Sequence, residues 1–204
     1  MKLYYSPGAC SLSPHIALLE AGLPYDLVKV DVRAKKLENG DDYLKINPKG
    51  QVPALGLDNG ELLTEGPVIV QMIADKAPDK HLAPANGSAE RYRLQEWLNF
   101  ITTELHKNFS PLFQPALTDE TKAFFKDRLM GKFRYLDAQL AGRDYLMGKQ
   151  FTVADGYLFV MLKWADRTGM DLSGLKNLMA FKARVEARPK VQEALTKEGL
   201  LKAA

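Results

Sequence analysis

The chain has 204 residues and a formal net charge of +3, with 46% hydrophobic and 26% charged residues, which suits one large domain or two small ones. No apolar run approaches the ~20 residues of a membrane span, the opening apolar stretch is too short for a signal peptide, and a single cysteine excludes an internal disulfide, so the composition favours a reducing, cytoplasmic setting. Residues 1–79 carry 8 basic and 11 acidic residues and residues 80–204 carry 20 and 14, and because the basic residues are dispersed we expect no nucleic-acid partner.

The first 79 residues alternate between strand and helix patterns. Residues 1–5 form a short apolar run, and residues 25–32 place an apolar side chain at every second position, which predicts two strands. A helical pattern between them ends near Gly22, and the polar residues 35–45 predict a loop or a short helix. The remaining predicted elements are strands at 52–57 and 61–64, joined by a hairpin turn, and a helix at 67–74. The order β-α-β-(α)-β-β-α predicts an α/β domain with a small mixed sheet and helices on its faces.

The rest of the chain carries helical patterns. Residues 80–88 contain Pro, Asn, Gly and Ser and predict a linker. Beyond the linker, residues 89–204 predict an all-α domain, in which Pro189 marks a break or the first turn of a last short helix. The helical patterns cover residues 89–109, 121–140, 153–168 and 178–187.

The only cysteine, Cys10, lies at the junction of the first strand and the first helix. Unpaired N–H groups at a helix N-terminus carry a partial positive charge, which stabilises a thiolate. We therefore expect the pKa of the Cys10 thiol to fall below its free value of about 8.5. The alternative is a small buried apolar residue, as many free cysteines are. Ser13 stands where a C-x-x-C motif would have its second cysteine, so a reactive Cys10 would need an external thiol or an electrophile.

Val52 and Pro53 begin a predicted strand directly after a turn. Because proline cannot donate a hydrogen bond to a neighbouring strand, Pro53 must lie at an edge or a bend. A cis bond between the two residues would turn the backbone N–H and C=O of Val52 outward, where they could pair with a peptide-like ligand. The alternative is an ordinary trans proline at a sheet edge, since most X–Pro bonds are trans.

The run Thr64-Glu65-Gly66-Pro67 leads from a strand end into a helix. Glu65 can accept hydrogen bonds from a ligand ammonium, and the Gly66 N–H at the helix start can donate to a ligand carboxylate. Together they would suit the zwitterionic end of an amino acid. The alternative is a plain helix start with an acidic residue that complements the helix dipole.

Thr152 and Asp155 have the spacing of a capping box at the start of the helix at 153–168. We assign them a structural role and no part in catalysis.

Taken together, these motifs resemble those of one protein family. A βαβ-ββα unit with Val52-Pro53 and then Thr-Glu-Gly-Pro, followed by a linker and an all-α domain with a Thr-x-x-Asp box, resembles a cytosolic glutathione S-transferase. The opening Met-Lys-Leu-Tyr-Tyr-Ser-Pro-Gly-Ala-Cys-Ser-Leu-Ser-Pro is similar to the bacterial beta class, in which cysteine occupies the active-site position. The resemblance covers essentially the whole chain and makes a reactive Cys10 the preferred interpretation.

The resemblance implies a thioredoxin-like N-terminal domain with a cis Val52–Pro53 bond, an all-helical C-terminal domain, and glutathione as co-substrate with no further cofactor and no metal. Cys10 would contact the glutathione sulfur or form a mixed disulfide with it, and Lys35 would lie near the glycyl carboxylate. The Val52 backbone would pair with the cysteinyl unit, and Glu65 and Gly66 would hold the γ-glutamyl end. A second set of contacts, some of them reaching across a homodimer, would come from Asn99, Thr103, Glu104, Leu105 and His106.

His106 lies near the end of the predicted helix at 89–109, where the helix dipole favours an imidazolium. In the functional interpretation it is catalytic and helps to keep a sulfur anionic, and the alternative is a solvated or capping histidine. His15 is interpreted as structural and His81 as exposed. The resemblance also suggests an apolar co-substrate pocket, although aromatic residues at helical spacing are more often core. Its candidate residues are Phe109, Phe113 and Trp164.

The sequence leaves functions from two classes open. The first is an enzyme, a detoxifying glutathione transferase that conjugates glutathione to small apolar electrophiles, with thiol exchange through a Cys10–glutathione mixed disulfide as a second chemistry. Tyr5, Ser6 and Ser11 are near enough in the sequence to leave a hydroxyl-assisted site open. The second is a non-catalytic ligand-binding protein, and a glutathione-dependent isomerase or dehalogenase would share the same fold. The sequence does not name the electrophile.

Overall fold

The computed structural model describes residues 1–201 of the chain. By their contacts these residues divide into two compact units, which we call the sheet unit (Met1–Ala83 together with the residues from Arg188 onward) and the helical unit (Pro84–Ala187). The helices are α1 (Leu12–Ala21), α2 (Gly66–Asp75), α3 (Ala89–Phe100), α4 (Lys107–Phe109), α5 (Asp119–Gln139), α6 (Val153–Arg167), α7 (Lys176–Glu186) and α8 (Pro189–Lys197). The strands are β1 (Lys2–Tyr5), β2 (Asp26–Asp31), β3 (Lys36–Leu37), β4 (Ala54–Gly56) and β5 (Leu62–Thr64).

The sheet unit is built on a mixed sheet with the strand order β3-β2-β1-β4-β5. β1 pairs in parallel with β2 and antiparallel with β4, so the apolar run at the start of the chain forms the central strand. Leu3 on this strand is fully buried opposite Leu27 and Leu55, as expected for the strand that the apolar run at residues 1–5 predicts. The arrangement is the thioredoxin-like sheet that the resemblance implied.

Strand β3 is an element that the sequence pattern does not predict. Residues 35–45, expected to be a loop or a short helix, contain this two-residue strand and a 3-10 turn at Tyr43–Lys45. A strand of two residues is too short to show an alternating pattern. The segment is fixed instead by Tyr43, whose side chain is fully buried and whose hydroxyl donates to the Gln51 carbonyl over 2.9 Å.

The last helix, α8, belongs to the sheet unit, whereas the sequence-based division keeps residues 89–204 together. α8 packs on α1, and Val191, Ala194 and Leu195 on α8 are buried. At its start Arg188 forms two hydrogen bonds of 2.7 and 2.9 Å with the Glu20 carboxylate on α1. The break that Pro189 predicts is therefore the point at which the chain returns to the sheet unit.

The predicted helix at 89–109 is continuous but changes its winding. α3 passes into a π-helical segment, Ile101–His106, and then into the short α4. Two side chains bond to the backbone where the winding changes. The Thr102 hydroxyl donates to the Leu98 carbonyl over 2.8 Å, and the Asn108 side-chain amide donates to the Glu104 carbonyl over 2.9 Å. Single π turns are frequent at functional sites, and this one carries the run Thr103-Glu104-Leu105-His106.

The capping box at the start of α6 is confirmed. One oxygen of the buried Asp155 carboxylate accepts from the Thr152 N–H over 2.7 Å and from the Thr152 hydroxyl over 2.9 Å. The other oxygen accepts from the Leu146 N–H over 2.8 Å, so the cap also fixes the segment that precedes the helix.

Among residues 1–201, no helix combines the length and apolarity that crossing a bilayer would require.

Candidate functional site

Cys10 lies in the loop between β1 and α1, directly before the N-cap residue Ser11, and is partly exposed. Its thiol donates to the Val52 carbonyl over 3.2 Å. The loop is closed by Ser11, whose hydroxyl accepts from the Ser6 N–H over 3.1 Å and donates to the Ser6 carbonyl over 3.2 Å. The cysteine therefore stands at a helix N-terminus, where the helix dipole favours a negative charge, and faces the Val52–Pro53 segment.

The Val52–Pro53 bond is cis. Val52 is partly exposed, and Pro53 is buried directly before β4. The carbonyl of the preceding residue, Gln51, accepts from the Tyr43 hydroxyl over 2.9 Å and from the Asn47 side-chain amide over 2.8 Å. These two buried donors hold the backbone beside Cys10 in place, so Val52 can present its polar groups to a ligand without much rearrangement.

Lys35 is half-buried and donates from its ammonium to the Gly50 carbonyl over 2.8 Å. It has a φ of 57°, a left-handed conformation that is uncommon for any residue but glycine. An ammonium has three donors, so the bond to Gly50 leaves donors for a ligand carboxylate. The neighbouring Lys36 is exposed, so the two adjacent lysines have different environments.

Glu65 precedes α2 with a φ of 68° and a ψ of 107°, a strained conformation for a residue with a side chain. Its carboxylate lies 2.6 Å from the Lys49 ammonium, which also donates to the Thr64 hydroxyl over 3.0 Å. Gly66 is the first residue of α2, so its N–H has no partner within the helix. The backbone thus places a carboxylate and a helix N-terminus side by side, which is the pairing that an amino-acid zwitterion requires.

The sequence does not single out Lys49, because it lies in the stretch Asn47-Pro48-Lys49-Gly50, whose residue types indicate only a turn. The side chain of Lys49 is 52% exposed and that of Glu65 is 63% exposed, so their ion pair is open to water. A ligand ammonium can therefore compete with Lys49 for the Glu65 carboxylate at little cost.

A second residue that sequence analysis missed, Glu198, supports the loop that carries Cys10. Its carboxylate is fully buried and accepts from the Gly8 N–H over 2.9 Å, while its other oxygen lies 2.8 Å from His15 Nδ1. The second ring nitrogen of His15 lies 3.0 Å from the Tyr25 hydroxyl. The structural interpretation of His15 agrees with these contacts. No sequence pattern could indicate that residue 198 returns to the first loop.

Tyr5 was one of the hydroxyls left open as an aid to the thiol. It is buried, and burial together with the nearby Glu198 carboxylate raises the pKa of the Tyr5 phenol. The phenol therefore stays protonated at neutral pH. The Ser11 hydroxyl donates its proton to the Ser6 carbonyl and accepts from the Ser6 N–H, so its proton is already used in a hydrogen bond.

In the helical unit, His106 lies beside an aromatic cluster. Its Nδ1 is 2.6 Å from the Tyr157 hydroxyl, and its ring is 5.0 Å from that of Trp164 in an edge-to-face arrangement. Trp164 also lies edge-to-face with Phe113 at 5.1 Å and with Phe109 at 5.8 Å. Phe109 is fully buried, so it supports Trp164 from behind, while Phe113 is partly exposed. Tyr157 was not singled out in the sequence.

The remaining predicted contacts fall on different faces of α3 and the π-helical segment. Asn99 and Thr103 are both exposed, and the Thr103 hydroxyl donates to the Asn99 carbonyl over 3.1 Å. Glu104 forms an ion pair of 2.8 Å with Lys132, which lowers the pKa of the Glu104 carboxyl. The Leu105 side chain is fully buried, so only its backbone could meet a ligand.

Within residues 1–201, no group of histidine, cysteine and acidic side chains is arranged to hold a metal ion.

Two family models match the chain, one described as the N-terminal domain of glutathione S-transferase over residues 8–76 and one described as its C-terminal domain over residues 103–198. The chain is 50% identical to glutathione S-transferase GstA of Escherichia coli O157:H7 over 200 residues, covering 98% of this chain and all of that protein.

Solved structures of similar proteins have the same fold. The chain is 50% identical to a bacterial beta class glutathione S-transferase from Sphingomonas chungbukensis, with a TM-score of 0.96, covering 98% of this chain and 100% of the other. It is also 50% identical to a sphingomonad glutathione S-transferase solved in complex with glutathione, with a TM-score of 0.95 and the same coverage.

Proposed function

The chain belongs to the glutathione S-transferase family, and on that premise we propose that Cys10 is the residue at which its co-substrate glutathione reacts. The protein is a glutathione S-transferase related to the bacterial beta class. The observation that carries the proposal is the 3.2 Å hydrogen bond from the Cys10 thiol to the Val52 carbonyl, because it joins the one thiol of the chain to the backbone that a peptide ligand would pair with.

Glutathione would bind along the surface of the sheet unit. Its γ-glutamyl ammonium would pair with Glu65, and its γ-glutamyl carboxylate would accept from the Gly66 N–H. Its cysteinyl unit would pair with the Val52 backbone, and its glycyl carboxylate would accept from the donors of Lys35 that Gly50 leaves available. The fixed backbone around Gln51 supports this mode, because a preorganised strand costs little to bind.

Binding in this mode would also change the state of Cys10. A thiol can donate to the Val52 carbonyl only while it is protonated, so this bond favours the neutral sulfur. When the cysteinyl N–H of glutathione donates to the Val52 carbonyl, the hydrogen bond from the Cys10 thiol weakens. The preference of Cys10 for the protonated state weakens with it. The helix N-terminus next to Cys10 then favours the thiolate. Glutathione would therefore activate the sulfur that lies beside it.

Two reactions are open to such a site. In conjugation, the glutathione thiolate attacks an electrophilic carbon, a carbon–sulfur bond forms, and the leaving group departs with the electron pair of its bond to carbon. In thiol exchange, the Cys10 thiolate attacks one sulfur of glutathione disulfide, a mixed disulfide forms, and the other half leaves as glutathione thiolate. The main activity that we propose is the conjugation of small apolar electrophiles, with a role in detoxification. In this reaction His106 would help to keep the sulfur anionic.

We propose that the enzyme works in the cytoplasm as a homodimer. The exposed pair Asn99 and Thr103 supports this, because it offers polar groups that the site of a partner subunit could use. A chain with a single cysteine cannot form an internal disulfide, which is consistent with a reducing compartment.

The test compares the wild type with Cys10→Ala. We expect the wild type to be retained on immobilised glutathione and to turn over chlorodinitrobenzene, and after exposure to glutathione disulfide to gain one glutathionyl group that dithiothreitol removes. Cys10→Ala should not gain that group. A wild type that binds glutathione but turns over no electrophile would support the non-catalytic ligand-binding alternative. Equal turnover and equal activation of glutathione in both proteins would refute the role of Cys10.

A further inference from the structure

A pocket within the helical unit has a volume of 360 Å³ and is formed by three neighbouring segments. One is the 3-10 segment Ser110–Phe113, another is the first two turns of α5, and the third is the end of α6. The volume is within the range of small-molecule sites. The pocket lies outside the set of residues assigned to glutathione above.

The lining of the pocket carries more positive than negative charge. Lys122, Lys126 and Arg167 line it, with the carboxylate of Asp119 as the acidic member of the lining. Within residues 1–201, none of these three cations forms an ion pair with a carboxylate. Other lysines of the helical unit do so, and the pairs are Lys132 with Glu104, Lys163 with Glu186, and Lys182 with Asp166. Like charges held together in a concave site create a field that attracts an anion.

The lining also includes apolar side chains. Leu112, Phe113 and Ala123 contribute to the lining. The Arg167 guanidinium carbon lies 5.6 Å from the centre of the Phe113 ring, so a cation is held against an aromatic face. A guanidinium in this position can still form two parallel hydrogen bonds with a carboxylate. The site therefore offers a charged end and a flat apolar surface to the same molecule.

Phe113 connects the pocket with the aromatic cluster around His106. Its ring is 5.1 Å from Trp164, and Trp164 is 5.0 Å from His106. We propose that this pocket binds the carboxylate of an acidic organic co-substrate whose apolar body lies along Leu112 and Phe113. The proposal rests on the function proposed above and adds a second class of electrophile to the small apolar ones, a small monocarboxylate with an aromatic or unsaturated body.

The test uses two electrophiles that differ by one charge, neutral chlorodinitrobenzene and carboxylated chlorodinitrobenzoate. We expect Lys126→Gln and Arg167→Gln each to raise the KM for the carboxylated electrophile by about tenfold, which is the loss of one charge-assisted contact, and to leave the KM for the neutral one unchanged. Lys149→Gln, at an exposed lysine outside the pocket, is the matched control. Raising the salt concentration to about 0.5 M should reduce the difference between wild type and variant, because salt weakens the attraction between exposed charges.

The outcomes separate this proposal from the one on which it rests. If both variants change the KM for the two electrophiles equally, or change neither, the pocket does not recognise a carboxylate. If the wild type turns over neither electrophile, the proposed function fails, and equilibrium dialysis of unreactive dinitrobenzoate against dinitrobenzene still tests the pocket. Tighter binding of dinitrobenzoate that Arg167→Gln abolishes would support it, and equal binding of the two compounds would overturn it.

Discussion

The Cys10 thiol donates to the carbonyl oxygen of Val52, and the two residues are 42 positions apart in the sequence. This bond ties the loop that carries the one cysteine to the cis Val52–Pro53 segment. The site is therefore assembled by the sheet, because β1 leads into the loop of Cys10 and its neighbour β4 follows Pro53.

Two substitutions of Cys10 separate its chemistry from its hydrogen bond. Cys10→Ser keeps a donor for the Val52 carbonyl but loses the nucleophile, whereas Cys10→Ala loses both. We expect neither variant to form a mixed disulfide with glutathione. Because the cysteinyl N–H of glutathione would use the same carbonyl, titration calorimetry should show a glutathione affinity for Cys10→Ala that is equal to or higher than that for Cys10→Ser. A clearly weaker affinity for Cys10→Ala would contradict this competition for the Val52 carbonyl.

Lys35 and Lys36 form a natural pair for testing charge recognition. Lys35→Gln removes the ammonium that lies on the Gly50 carbonyl, and Lys36→Gln changes an exposed neighbour. We expect the KM for glutathione to rise about tenfold in Lys35→Gln, equivalent to about 1.4 kcal/mol, with kcat nearly unchanged because the lost contact is made equally in the ground and transition states. Lys36→Gln should behave like the wild type. A comparable rise in both variants would point to general electrostatic attraction rather than a bound carboxylate.

Much of the fold could be predicted because its elements leave local patterns. The alternation in β2, the left-handed Gly22 that ends α1 and the spacing of Thr152 and Asp155 each depend on residues close together in the sequence. The same holds for the position of Cys10 before α1. These features could be found without knowing what the rest of the chain does.

The parts that could not be predicted depend on distant partners. Glu198 bonds to Gly8 across 190 positions, and Lys49 reaches Glu65 only because the chain folds back between them. Residues 101–106 have an ordinary helical pattern, so nothing local distinguishes a π turn from an α turn. The pocket with Lys122 and Arg167 likewise joins segments that only the tertiary fold brings together.

Glu198 is expected to be far more important for stability than its place at the end of α8 suggests. Glu198→Ala would leave the Gly8 N–H and the His15 ring without their buried partner, at a cost of about 3–5 kcal/mol in the free energy of unfolding. Glu193→Ala is the matched control on the same helix, because Glu193 pairs with Lys190 and Lys197 on the surface, and it should behave almost like the wild type. Urea unfolding measures both, and equal losses would contradict the importance of burial.

Asp155 is predicted to hold more than the helix it caps. Asp155→Ala removes the acceptor for the N–H groups of both Thr152 and Leu146, which are left buried without it, so the free energy of unfolding should fall by about 3 kcal/mol. Asp155→Asn keeps one acceptor oxygen and should recover part of this loss. As a control, Asp119→Ala changes an exposed acidic residue in the first turn of α5 and should have little effect. Because Asp155 lies in the helical unit and Lys35, Glu65 and Val52 lie in the sheet unit, glutathione affinity measured well below the unfolding temperature should stay at the wild-type value in Asp155→Ala. A loss of affinity together with the loss of stability would show that the cap also determines the geometry of the glutathione site.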